Sequence, residues 1–85
     1  MVTMQKSIDT VEYEKLRKWL RAQREDKQLT MRDLAALLNR PHTFVSKVEQ
    51  GERRLDVVEY VTYCRSLDVS PFDGMRASFK KSDLT

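Results

Sequence analysis

Thr30-Met31-Arg32-Asp33-Leu34-Ala35-Ala36-Leu37-Leu38-Asn39-Arg40-Pro41-His42-Thr43-Phe44-Val45-Ser46-Lys47-Val48-Glu49-Gln50-Gly51 contains two short helical patterns and the break between them. Thr30 is a good N-cap, and Asp33, three residues on, is placed to reach back to the cap amide. Met31, Leu34, Ala35 and Leu38 then recur at helical spacing and predict one buried stripe. Asn39 tolerates the left-handed backbone that closes a helix, and Pro41 suits the start of the next one. A second helix is predicted from about His42 to Gln50, with Gly51 ending it. Val45 and Val48 face inward in that helix. His42, Thr43, Ser46 and Lys47 face outward.

A connection as short as Asn39-Arg40-Pro41 does not let the two helices lie antiparallel, so they cross steeply. Small Ala35 allows close approach. The outer face of the second helix is polar and free of bulk apart from Phe44, which is read as packing, with contact to a thymine methyl as the alternative. Such a face fits a DNA major groove, where base edges present hydrogen-bond donors and acceptors.

Upstream, Asp9 and Glu12 have capping-box spacing, and a helix begins near Thr10. Tyr13, Leu16, Leu20 and Arg24 form its inner stripe with Trp19 beside them. Glu14, Lys15, Arg17, Lys18, Arg21 and Glu25 form its charged face. The helix fails at Asp26-Lys27-Gln28. Downstream, Glu52-Arg53-Arg54 is a polar loop. Asp56 caps a fourth helix, with Val57, Val58, Val61, Cys64 and Leu67 as its apolar positions. Ser70-Pro71 opens a last helix carrying Phe72, Met75 and Phe79 on one side. The expected architecture is therefore all-α with five helices. Residues 1–10 are expected to be a flexible tail, 11–80 the folded domain and 81–85 a frayed end.

The 85 residues suffice for one domain, with 40% hydrophobic and 34% charged residues. A domain of this size buries only roughly 60–65% of its unfolded surface, so a partner that adds burial matters. No apolar run is long enough for a membrane span, and the first ten residues lack a secretory pattern, which leads to the expectation of a cytoplasmic protein. The single cysteine, Cys64, excludes an internal disulfide and is read as a small core hydrophobe. Net charge is +3, and its distribution is uneven: Glu12 to Leu55 carries 11 Lys/Arg against 7 Asp/Glu, and Asp56 onward carries 4 against 5. One His and one Cys without an orienting third group do not make a nucleophilic site. No CxxC, HxxxH or calcium-loop spacing marks a metal site. Neither an enzyme nor a cofactor is expected.

Leu29-Thr30-Met31-Arg32-Asp33-Leu34-Ala35, followed by Arg40-Pro41-His42-Thr43-Phe44-Val45-Ser46-Lys47-Val48-Glu49-Gln50-Gly51-Glu52-Arg53-Arg54, resembles the Xre family, the phage Cro/repressor type of helix-turn-helix. The likeness runs from about Leu16 to Pro71. It implies a lambda-repressor-like domain that binds double-stranded DNA, acting as a transcriptional regulator. A repressor working as a homodimer on a pseudo-palindromic operator is the first expectation. An antitoxin or adaptor of the same fold that docks a protein partner is the alternative. A mobile-element regulator or a restriction–modification controller would be a variant of the first.

By the resemblance, His42, Thr43, Ser46 and Lys47 contact bases, and Arg32, Arg40, Arg53 and Arg54 contact phosphates. Glu49 pairs with Arg24 of the first helix. Phe72, Met75 and Phe79 are the dimer-interface candidates, since nothing after them in the sequence covers that stripe, with Trp19 and Tyr13 as second choices. Three positions depart from the family pattern. Met31 stands where glutamine often contacts the backbone, and Gln28 and Asn39 stand where glycine often does.

Overall fold

The computed structural model describes residues 10–84. The expected tail therefore lies outside the described residues except for Thr10, as does the capping role given to Asp9. Thr10 itself caps the first helix: its Oγ1 accepts from the Tyr13 amide at 3.2 Å. Five helices follow in order: α1 (Val11–Asp26), α2 (Met31–Leu38), α3 (His42–Gln50), α4 (Val57–Leu67) and α5 (Pro71–Ser78). The segment 81–85, expected to fray, carries one 3-10 turn at Lys81–Asp83.

Each helix boundary has a local cause. Thr30 and Asp33 exchange side-chain and backbone hydrogen bonds at the start of α2, at 2.8 and 3.0 Å. Asp56 and Glu59 do the same for α4. These reciprocal bonds satisfy amides that a helix N-terminus leaves unpaired. Left-handed residues close the helices or the turns after them: Gln28, Asn39 and Asp68 at φ near 60°, and Gly51 at φ 80°. Gln28 adopts this conformation without being glycine, and Leu29 N–H then bonds back to Arg24 O at 3.1 Å.

The core is built from Leu20 of α1, Leu34 and Ala35 of α2, Val45 and Val48 of α3, and Tyr60, Tyr63, Cys64 and Leu67 of α4. Two sequence expectations change here. In α4, Val57 and Val58 are exposed at 78% and 74%, and the buried stripe is Tyr60, Tyr63, Cys64 and Leu67. These four follow i, i+3, i+4, i+7 spacing from Tyr60. Val57 shares the face of Tyr60 and Cys64 but lies in the first turn, while Val58 lies on the outer face with exposed Thr62 and Arg65. Burial raises the pKa of both tyrosine phenols and of the Cys64 thiol.

In α1, Arg17 is not on the solvent face. Its side chain is only 20% exposed, and Nη1 donates to the Glu49 carbonyl at 2.9 Å. Arg17 thus caps the C-terminal end of α3, where cations are favoured. Gly51 makes room for it: a Cβ there would lie 3.0 Å from Arg17 Nε.

Helix α5 lies across α1 and α4 on the faces of Gly74 and Ser78, both buried. A Cβ on Gly74 would sit 2.7 and 2.8 Å from two Trp19 ring carbons, and closer still to the Tyr60 hydroxyl. That hydroxyl donates to the Pro71 carbonyl. This contact makes Trp19 a packing residue. It also leaves Phe72 and Phe79 on the outer side of α5, exposed at 64% and 38%.

Candidate nucleic-acid interface

The α2–α3 pair is joined by three residues whose backbone groups are largely satisfied locally. Asn39 and Arg40 amides bond to Ala36 and Ala35 carbonyls at 3.1 and 2.9 Å, and Phe44 N–H bonds to Pro41 O at 2.9 Å. This wraps the end of α2 and launches α3 at a fixed angle. Val45 and Val48 are fully buried beneath α3. On its outer side His42, Thr43 and Lys47 are exposed. Ser46 is half-buried, and its Oγ accepts from Gln50 Nε2 at 3.1 Å. The four residues assigned to base contact therefore lie along α3, with three exposed and one half-buried.

Helix α3 is pinned from behind by α1. Arg24 Nε and Nη2 donate to the two Glu49 carboxylate oxygens at 2.6 and 3.0 Å, and Arg24 Nη1 donates to Leu29 O at 2.8 Å. This is a buried, two-pronged charge pair, the geometry in which Arg–carboxylate bonds are strongest. The hydrogen bond to Glu49 raises the pKa of the Arg24 guanidinium. Together with the Arg17 cap, it ties the last turn of α3 to α1 through both the side chain and the backbone of Glu49.

The four arginines assigned to phosphates separate into three settings. Arg32 is exposed on α2 and has no side-chain hydrogen bond among the described residues. Arg54 is exposed and stacks its guanidinium 4.6 Å from the centre of the Tyr13 ring. Tyr13 in turn accepts from the Leu55 amide at 3.1 Å, which anchors the loop after α3. Arg40 and Arg53 come together. Both reach the carboxylate of Glu59, Arg53 by two bonds of 2.7 Å and Arg40 by one of 3.3 Å. Both also lie over the ring of Phe44, at 4.3 and 5.0 Å from its centre. Phe44 itself leans on Tyr63, with ring centres 6.4 Å apart.

Glu59 was not among the residues the sequence singled out for function. Its role as the fourth residue of the Asp56 capping box was open to sequence reading, but its arginine partners were not. Those bonds, with the Asp56 amide, hold its carboxyl down to about 2.

Among the described residues no three His, Cys, Asp or Glu side chains gather into a metal-binding group, and no helix is long and apolar enough to cross a membrane. A family model described as a helix-turn-helix domain matches residues 16–78. Among solved structures the chain is similar to an XRE-family like protein from Pseudomonas syringae pv. tomato str. DC3000. The identity is 41%, over 75% of this chain and 78% of that one, with a TM-score of 0.72. The chain belongs to the XRE family of helix-turn-helix proteins.

Two further solved structures are similar to the chain. The restriction-modification controller protein C.AhdI from Aeromonas hydrophila is 30% identical, over 71% of this chain and 91% of that one, with a TM-score of 0.66. The clp gene regulator ClgR from C. glutamicum is 26% identical, over 82% and 91%, with a TM-score of 0.74. No curated protein matches the sequence. Within this XRE fold α2 and α3 are the helix-turn-helix, and the fold is that of DNA-binding transcription regulators.

Proposed function

We propose that the protein is a sequence-specific double-stranded DNA-binding regulator that acts as a homodimer on a pseudo-palindromic operator, in the cytoplasm, and represses by occupying promoter DNA. The observation that carries this reading is the exposed ridge of His42, Thr43 and Lys47, with Ser46 at its edge, set on a helix whose opposite face is fully buried and pinned by Arg24 and Glu49. A nine-residue helix is about 13 Å long, which suits insertion of its first turns into a groove about 12 Å wide. The ridge side chains donate to guanine N7 and O6 or accept from adenine and cytosine amino groups, while Arg32, Arg40, Arg53 and Arg54 supply phosphate contacts.

The dimer reading draws on the outer side of α5. Phe72 and Phe79, with Leu84 after them, line adjoining shallow grooves around Arg76, which partly buried Met75, packed against the core, also borders. A dimer that reads such an operator presents its two α3 helices to half-sites about 34–36 Å apart, one turn of DNA.

Selection of bound duplexes from a random library, followed by gel shifts at several salt concentrations, tests the proposal. The expected result is a palindromic consensus and a log–log salt slope of about −0.9 per phosphate contacted. Lys47→Ala is expected to lose preference at particular base pairs, and Arg53→Ala to weaken all sequences alike. Equal losses for Lys47→Ala on selected and random DNA reject its reading role. A monomer by sedimentation, at concentrations where operator is bound, rejects the dimer.

A further inference from the structure

We propose that Glu59, although acidic, is a positioning residue for DNA binding: it holds Arg40 and Arg53 side by side as one clamp for a backbone phosphate beside α3. The inference rests on the DNA-binding reading above and adds a residue that does not touch DNA.

The geometry carries it. Arg40 precedes α3 and Arg53 follows it, yet both guanidinium groups end on the same carboxylate, 19 and 6 residues away in sequence. Two cations this close repel unless an anion lies between them. Glu59 is that anion, its side chain 17% exposed between arginine side chains exposed at 42% and 36%. Its own position is fixed by the Asp56 amide, which donates to Oε1 at 3.0 Å. The Phe44 ring offers both guanidinium groups a common surface.

The bonding leaves the clamp usable. Arg53 spends its Nη1–Nη2 end on Glu59, and Nη1 also donates to the Arg54 carbonyl at 2.6 Å. Its other edge, Nε–H with the second Nη2 hydrogen, has no protein partner among the described residues. A guanidinium edge of that kind matches two oxygens of one phosphate. Arg40 gives Glu59 a single bond and keeps its remaining donors. Two arginines on one carboxylate leave one net positive charge, with the donors already oriented. Ordering long side chains before DNA arrives reduces what binding must spend on their rotamer freedom.

Loss of Glu59 therefore has two opposed effects. It deletes a negative charge near DNA, which favours binding but is screened over about 8 Å at roughly 0.15 M salt. It also lets the two guanidinium groups separate. The clamp argument says that the second effect is larger.

The test is a cycle of four full-length proteins binding a random-sequence DNA duplex: wild type, Glu59→Gln, the double variant Arg40→Lys with Arg53→Lys, and all three changes together. Glutamine keeps an oxygen for the Asp56 amide, so the α4 cap is retained. Lysine keeps the charge but has no two-pronged edge. Glu59→Gln is expected to weaken binding roughly three- to tenfold in the arginine background, and to leave it unchanged or tighter in the lysine background. Equal losses in both backgrounds mean that Glu59 acts only through the fold, and overturn the inference while DNA binding stands. Tighter binding by Glu59→Gln with the arginines present overturns it too, since Glu59 is then a brake. Wild-type protein that binds no duplex at low salt overturns the DNA-binding reading and this inference with it.

Discussion

Replacing Glu49 by alanine tests the claim that a buried ion pair, more than local helix propensity, holds the recognition helix in place. The Glu49 side chain is 3% exposed and that of Arg24 9%. Glu49→Ala removes two of the three hydrogen bonds made by the Arg24 guanidinium and leaves only the one to Leu29 O. The cation stays in a site that water barely reaches. Breaking a buried pair from one side costs about 3–5 kcal/mol, because the surviving charge is uncompensated. At about 0.05–0.15 kcal/mol per residue, the whole domain is worth roughly 4–13 kcal/mol, so the variant loses from about a quarter to all of its stability.

Urea denaturation followed by circular dichroism measures the effect. The midpoint is expected to fall with the slope unchanged, and the thermal midpoint to drop by at least about 12 °C. The pair Arg24→Met with Glu49→Leu is expected to recover most of the loss, since an apolar contact of similar volume needs no desolvation of charge. A loss below about 1 kcal/mol for Glu49→Ala, the range of an exposed pair, refutes the reasoning.

Gly74→Ala is expected to destabilise although alanine is the better helix former. Helix propensity favours the change by about 0.5–1 kcal/mol, but the added methyl overlaps Trp19 and Tyr60, and overpacking costs about 1–3 kcal/mol; a raised thermal midpoint refutes this. Acid is expected to weaken the α3–α4 corner late in a titration. The Glu59 carboxyl is lowered from 4.5 to about 2 by Arg53 and the Asp56 amide, so its contribution is complete above about pH 4.5 and is lost as pH falls towards 2. Stability curves of wild type and Glu59→Gln should therefore converge towards pH 2, and curves that stay parallel from neutral pH to pH 2 count against the arginine contacts.

Local signals made most of the fold and the ridge legible. Capping chemistry at Thr30 and Asp56, left-handed closure at Asn39 and Gly51, and the apolar periods of α1, α2 and α3 are properties of neighbours within one or two turns. Their physics acts before any tertiary contact forms. The outward placement of His42, Thr43 and Lys47 followed from the inward placement of Val45 and Val48 alone. Pattern matching at Arg24 and Glu49 pointed to one long-range contact, because the resemblance carried it.

The remaining features depended on where the chain returns in space. Val57 and Val58 looked like core by type, yet Tyr60 and Tyr63 are buried instead: Val58 falls on the outer face with Thr62 and Arg65, and Val57 shares the inner face, where periodicity does not say how far along the helix the core extends. Arg17 had the look of a solvated charge until α3 brought the Glu49 carbonyl and Gly51 against it. Gly74 is needed by Trp19 and Tyr60, which belong to other helices. Glu59 is an ordinary capping residue in sequence; only folding delivers two arginines to it from either end of α3. Hydrogen-bond ownership of that kind is set by three-dimensional proximity, which spacing along the chain does not encode.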